Sequence, residues 1–252
     1  MDIATYKHDV WGTEVLRGVS WDLLWLVIVA AFFAIVLHGI YEARQERGAP
    51  PSSEGERVQR HQKIDRIFHW IMAFSMFALL ITGILPILGV NFAWLSLHWM
   101  AGLLLTAIVL AHILRSIFVK DLSSVAISAA DIREGLDDSK KPGKYSVAQK
   151  GLHAVVALVT LVVIITGLVM FAMIDTPWWD RTNSLSESTL GWTFFLHGLS
   201  TLALVGLISL HVYFALRPEK LFYLRSMFGG WISKDELSAN HDPERWAPDE
   251  TS

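Results

Sequence analysis

The sequence predicts an all-α integral membrane protein, a bundle of five transmembrane helices, and three observations carry that prediction. Of the 252 residues, 53% are hydrophobic and 18% charged, and mean hydropathy is +0.41, more apolar than a soluble domain of this size requires. Five apolar stretches of about 20 residues follow one another, each long enough to cross a bilayer as a helix. The polar segments between them alternate between rich and poor in Lys and Arg, the asymmetry that sets membrane orientation.

The spans are expected at residues 21–40, 67–88, 95–118, 151–173 and 193–216. Acidic and aromatic residues precede the first, and its apolar core is longer than that of a signal peptide, so a retained helix is expected there. The loop after it carries Arg44, Arg47, Arg57, Arg60, Lys63 and Arg66. The loop after the third span carries Lys120, Arg133, Lys140, Lys141, Lys144 and Lys150. Both are expected on the cytoplasmic side of an inner membrane. Residues 89–94 hold no basic residue and residues 174–192 only Arg181, which assigns them to the outside. The N-terminus is then outside and the C-terminal tail, with Arg217, Lys220 and Arg225, inside. Gly48-Ala-Pro-Pro-Ser-Ser53 and Asp137-Asp-Ser-Lys-Lys-Pro-Gly143 read as polar linkers. The expected organisation is an outer segment with an extra helix at 1–45, a cytoplasmic linker at 46–66, a four-helix domain at 67–218 and a cytoplasmic tail at 219–252. A net charge of -3 gives no sign of nucleic-acid binding, and membrane lipid is the expected surrounding.

Cysteine is absent, which excludes disulfides, thiolate-held iron–sulfur clusters and covalently attached c-type haem within this chain. Histidine is plentiful, with ten residues, several inside apolar runs where an unsatisfied imidazole is costly. These histidines follow an internal repeat. His69-Trp-Ile-Met-Ala73 followed by Ile81-Thr82-Gly83 recurs at the same spacing as His153-Ala-Val-Val-Ala157 followed by Ile165-Thr166-Gly167. His98 and His112 on the third span have the same separation as His197 and His211 on the fifth. The second and third spans thus repeat as the fourth and fifth, with the first outside the repeat.

That separation is close to four helical turns, about 21 Å, so both histidines of each helix lie on one face. His98 and His197 then sit at one outer depth, and His69 and His211 share an inner one. Two imidazoles facing each other across a flat macrocycle are what six-coordinate haem b requires, and a helical bundle supplies them. Gly83, Gly102, Gly167 and Gly198 would let a ring approach the backbone. His112 and His153 are the repeat counterparts of His211 and His69 and stand as an alternative inner-haem pair. Arg66, one turn from His69, and Arg115, three residues after His112, could each meet a haem propionate. His38 has no repeat counterpart and reads as structural or snorkelling, while His8, His61 and His241 read as solvated. The competing reading is a haem-free anchor or transporter whose histidines bond across helices.

Asp65-Arg66-Ile-Phe-His69-Trp70, Gly143-Lys-Tyr-Ser-Val-Ala-Gln-Lys150, Leu196-His197 and His211-Val-Tyr-Phe-Ala215 resemble the cytochrome b (gamma) subunit of respiratory formate dehydrogenases. The likeness runs from about residue 60 to 245 and takes in Trp231-Ile-Ser233 and His241-Asp-Pro-Glu-Arg-Trp246. It implies two b haems, an outer one held by His98 and His197 and an inner one by His69 and His211. It also implies a complex with an iron–sulfur subunit and a molybdenum or tungsten catalytic subunit. Electrons would reach the outer haem and leave the inner one for menaquinone or ubiquinone near the inner face. A quinone beside His211 could be hydrogen-bonded by Ser146 and Gln149, although Ser146 is equally placed to cap the fourth span. The family carries Asn and Gly where this chain has Ser146 and Ala148, and it lacks the extra first helix. A quinol-oxidising cytochrome b subunit of a reductase or hydrogenase is the alternative with the flow reversed.

Overall fold

The computed structural model describes residues 2–45, 51–119, 126–137 and 140–246. Arg47 and Lys120 of the basic loops, parts of both proposed linkers and the end of the tail lie outside the described residues. In chain order the elements are β1 (Ala4–His8), β2 (Glu14–Val19), α1 (Leu23–Ala43), β3 (Arg57–Gln59), α2 (Lys63–Ile87), α3 (Trp94–Phe118), α4 (Ala129–Gly135), α5 (Val147–Phe171) and α6 (Glu187–Leu216). A 3₁₀ turn (Pro218–Lys220), α7 (Leu221–Gly229), β4 (Trp231–Ser233) and α8 (Lys234–Asn240) follow. Among the described residues, α1, α2, α3, α5 and α6 are the five helices long and apolar enough to cross a membrane, as the hydropathy pattern predicts.

The described chain divides into two compact units, each drawing segments from all five long helices. The first takes residues 1–37, 73–107 and 156–209. It holds a β-hairpin that the sequence reading did not anticipate: β1 and β2 pair antiparallel with a bulge at Thr5/Tyr6. The turn is closed by the Asp9 carboxylate, which accepts from the amides of Trp11 (2.9 Å) and Thr13 (2.8 Å). The hairpin lies on α6, where Gly191 faces the Leu16 carbonyl and Gly198 faces Val19. Neither position has room for a Cβ, so Gly198 serves this seam. Val19, Leu24 and Leu202 form the buried core of the unit, flanked by Trp21, Val27, Ile84 and Phe195. Phe32, Phe33, Phe74, Leu158 and Ile165 remain exposed, the apolar exterior expected of helices solvated by lipid. Trp99, Phe171, Trp178 and Trp179 pack together at the helix ends, partly edge to face, an aromatic group of the kind that sits at a bilayer interface.

The second unit takes residues 38–72, 108–155 and 210–252. The segment read as linker and the segment read as tail are joined here: β3 pairs antiparallel with β4, and Val58, Ile232 and Phe222 bury a small core beneath them. Three capping boxes begin helices in this unit. Ser128 with Asp131 starts α4, Ser233 with Glu236 starts α8, and Ser146 with Gln149 starts α5. α7 stops at Gly230, whose φ of 92° is the left-handed end that glycine adopts without strain.

His61 and His241, expected to be solvated, are buried at 8% and 1% exposure. His241 is held from both sides: Arg60 Nη1 donates to its Nε2 (2.8 Å), and its Nδ1 donates to the Gly143 carbonyl (2.7 Å). Burial, with Arg60 adding repulsion, pushes the His241 imidazole down to about 4, so it is neutral at physiological pH. Burial likewise pulls the Arg60 guanidinium below its ordinary value. Beside them, Asp131 at 1% exposure accepts from Lys150 (2.9 Å) and Arg245 (2.7 Å). Burial alone would raise its carboxyl, but Lys150, Ser128 and Arg245 reverse that and hold it well below the usual carboxylate range.

Candidate functional site

The first unit brings His98 of α3 and His197 of α6 together, both half-buried, with ring centroids 6.3 Å apart and planes at 64°. Each imidazole has a threonine behind it. Thr82 Oγ1 lies 2.9 Å from His98 Nδ1, and Thr166 Oγ1 lies 2.9 Å from His197 Nδ1. A hydroxyl has one proton, and these protons go to the carbonyls of Ala78 and Val162, each 2.7 Å away. Both bonds of each hydroxyl are then satisfied only when Nδ1 carries the imidazole proton. Nε2 of each histidine is thereby left as the lone-pair donor, the tautomer a metal ligand needs. Gly83 and Gly167 follow the threonines, and the Cε1 of His98 or His197 lies 3.4 Å from where each Cβ would stand. The repeated Ile-Thr-Gly is therefore a seat for the opposing imidazole. The sequence displayed the signal as a repeat but did not reveal the role of the threonine.

The second unit brings His69 of α2 and His211 of α6 together, with centroids 6.4 Å apart and planes at 54°. His69 is half-buried and His211 exposed. Trp70 stacks on Phe228 at 4.5 Å and donates from Nε1 to the Met227 carbonyl (3.0 Å), while Arg66 donates to the Phe228 carbonyl. The residues flanking His69 thus grip the C-terminal end of α7, satisfying carbonyls that a helix end leaves unpaired. Arg115 donates to Gln62 (2.9 Å) and pairs with Asp65 (3.4 Å). The ring 6.4 Å from His211 belongs to His69. His112 lies against Phe68 at 5.9 Å, and His153 is on an exposed face of α5.

In each pair two imidazoles from different helices face each other, at 6.3 and 6.4 Å between ring centroids, separations that ordinary aromatic contacts also adopt. Two facing imidazoles are the donor set that a six-coordinate haem b would use.

Ser146 and Gln149 turn to each other: the Ser146 amide donates to Gln149 Oε1 (3.0 Å), and the Gln149 amide donates to Ser146 Oγ (3.3 Å). The cap uses acceptor lone pairs only, so the Ser146 hydroxyl proton and the Gln149 side-chain amide protons remain available as donors. His38 takes the structural role. Its Nδ1 bonds the Tyr213 hydroxyl (2.9 Å), and Arg217 reaches both its Nε2 (3.4 Å) and Glu42 (2.7 Å).

A family model for prokaryotic cytochrome b561 matches residues 60–230. The cytochrome b556 subunit of formate dehydrogenase from Haemophilus influenzae is 24% identical over 214 residues, which cover 79% of this chain and 85% of that protein. The matched family region takes in α2, α3, α5 and α6 and both histidine pairs, and the chain belongs to the prokaryotic cytochrome b561 family, multi-pass membrane cytochromes that bind haem b.

Proposed function

We propose that this chain is the membrane subunit of a respiratory oxidoreductase complex, passing electrons through two b haems between an iron–sulfur partner subunit and the quinone pool. The observation that carries the reading is duplication: two separate pairs of facing imidazoles, with ring centroids 6.3 and 6.4 Å apart, each the donor set of a bis-histidine haem. Haem b, when bound, supplies one-electron redox chemistry. His98 and His197 would hold one iron and His69 and His211 the other. Thr82 and Thr166 keep the ligating nitrogens of the first pair deprotonated.

The distribution of basic loops supports an inner-membrane orientation with the N-terminus outside and the tail in the cytoplasm. His98 and His197 then serve the outer haem and His69 and His211 the inner one. Residues 67–218 are the haem-bearing domain, and residues 1–45 supply an accessory helix and hairpin. Quinone reduction would consume two electrons and two protons, and Ser146 and Gln149, whose donors the cap leaves available, would supply hydrogen bonds to a quinone carbonyl. The relationship to a formate dehydrogenase subunit supports a complex with an iron–sulfur subunit and a molybdenum or tungsten catalytic subunit.

Pyridine haemochrome analysis of the purified complex tests this reading. Two b haems per chain are expected. His98→Ala or His197→Ala should remove one, and His69→Ala or His211→Ala the other. A chain without haem overturns the reading. A second haem that survives His69→Ala but is lost with His112→Ala and His153→Ala reassigns the inner site.

A further inference from the structure

Hydroxyl groups that bond back to the carbonyl four residues earlier are ordinary in these helices. Thr106, Ser116, Thr193, Thr201 and Ser209 all do it. Thr82 and Thr166 differ in making a second bond, at the same 2.9 Å, to the imidazole of a paired histidine. Both are nearly inaccessible, at 5% and 7% exposure. Among the described residues no hydrogen bond reaches His69 or His211, so one histidine pair has two such threonines and the other has none.

We infer that Thr82 and Thr166 are tuning residues that lower the midpoint potential of the haem held by His98 and His197 and leave the other haem untouched. The inference rests on the ligand assignment proposed above. The chain of bonds runs from imidazole Nδ1–H to hydroxyl oxygen and from hydroxyl proton to helix carbonyl. Each link polarises the next, so the oxygen is a better acceptor than an isolated hydroxyl. Drawing the Nδ1 proton outward raises the electron density on Nε2 and makes the imidazole a stronger donor. A stronger axial donor stabilises ferric over ferrous iron, which lowers the potential. With two ligands modified in the same direction, the effects add. A lower potential at this haem makes the electron's onward passage to the second haem more favourable, the direction required for reducing quinone at the cytoplasmic side.

The test is a spectroelectrochemical titration of the purified complex bearing Thr82→Val, Thr166→Val or both, with Thr82→Ser and Thr166→Ser as conservative controls. The component that disappears in His197→Ala identifies the haem concerned. Its midpoint should rise in each Val variant and rise further in the double variant, while the other component stays in place and the Ser variants keep the wild-type value. An unmoved or lowered midpoint, a shift in the other haem, or Ser variants that behave like Val overturn the inference while leaving the haem assignment intact. If no haem disappears in His197→Ala, the ligand assignment itself is wrong and the inference falls with it. Should a Val variant lose its haem, the ferric low-spin EPR signals of the wild-type protein decide. The signal absent from His197→Ala must show the stronger axial donor field, and equal fields at the two haems overturn the inference.

Discussion

Replacing Gln149 with Glu separates two jobs that its side chain can perform. As the third residue of a capping box, Gln149 contributes only an oxygen, which accepts from the Ser146 amide at 3.0 Å. Glu supplies the same oxygen and adds a negative charge at the positive end of α5, so helix stability should hold or rise by a few tenths of a kcal/mol. A quinone carbonyl, in contrast, needs a donor, and Gln149→Glu removes the amide protons altogether. Ser146→Asp is the matching change, since Asp caps well but has no proton to donate at neutral pH. Loss of one neutral hydrogen bond, about 1 kcal/mol, corresponds to roughly a fivefold rise in apparent KM for quinone. Reoxidation of the dithionite-reduced haems by a soluble quinone analogue, followed at the α-band, reads this directly, and thermal denaturation in detergent reads the cap. Wild-type KM in both variants with wild-type Tm would show that these residues cap α5 and do nothing more. A rise in KM without a change in Tm or haem content is expected.

Two further outcomes concern the second unit. Asp131→Ala should destabilise the second unit by about 3–5 kcal/mol, because Lys150 stays buried at 8% exposure without its carboxylate and α4 loses half its capping box; an unchanged Tm would contradict this. The His241 imidazole is lowered to about 4 in the folded chain from an ordinary 6.5, so its contribution is fully present above pH 6.5. The unfolded chain takes up the proton first as pH falls, so the contribution is lost between pH 6.5 and about 4, by up to about 3 kcal/mol. Limited proteolysis of the tail across that window should show it loosening, and His241→Gln should flatten the pH profile.

What the sequence revealed and what it hid divide along a physical line. The five long helices were legible because a bilayer span is a local property: about 20 apolar residues announce themselves without reference to the rest of the chain. The four paired histidines were legible because a repeat multiplies a weak signal, and the structure brings His98 to His197 and His69 to His211. The Ser146 cap was visible as one of two readings of a Ser-x-x-Gln pattern. The hairpin at Ala4–Val19 leaves no mark in the hydropathy pattern because its strands are short, although Asp9 and Gly12 stand at its turn. Pairing of Arg57–Gln59 with Trp231–Ser233 has no local signature at all. Burial of His241 follows from that pairing and from Arg60, so it could not be read from residues around position 241.

That same β3–β4 pairing bears on how the protein is made. β3 leaves the ribosome before any of the three helices that carry the paired histidines, while β4 emerges after all of them. The early strand's partner is therefore translated only after α2, α3, α5, α6 and α7. Closure of the β3–β4 sheet in this sense follows synthesis of the long helices. A chain interrupted before Trp231 would hold every proposed ligand yet lack the strand that completes the sheet.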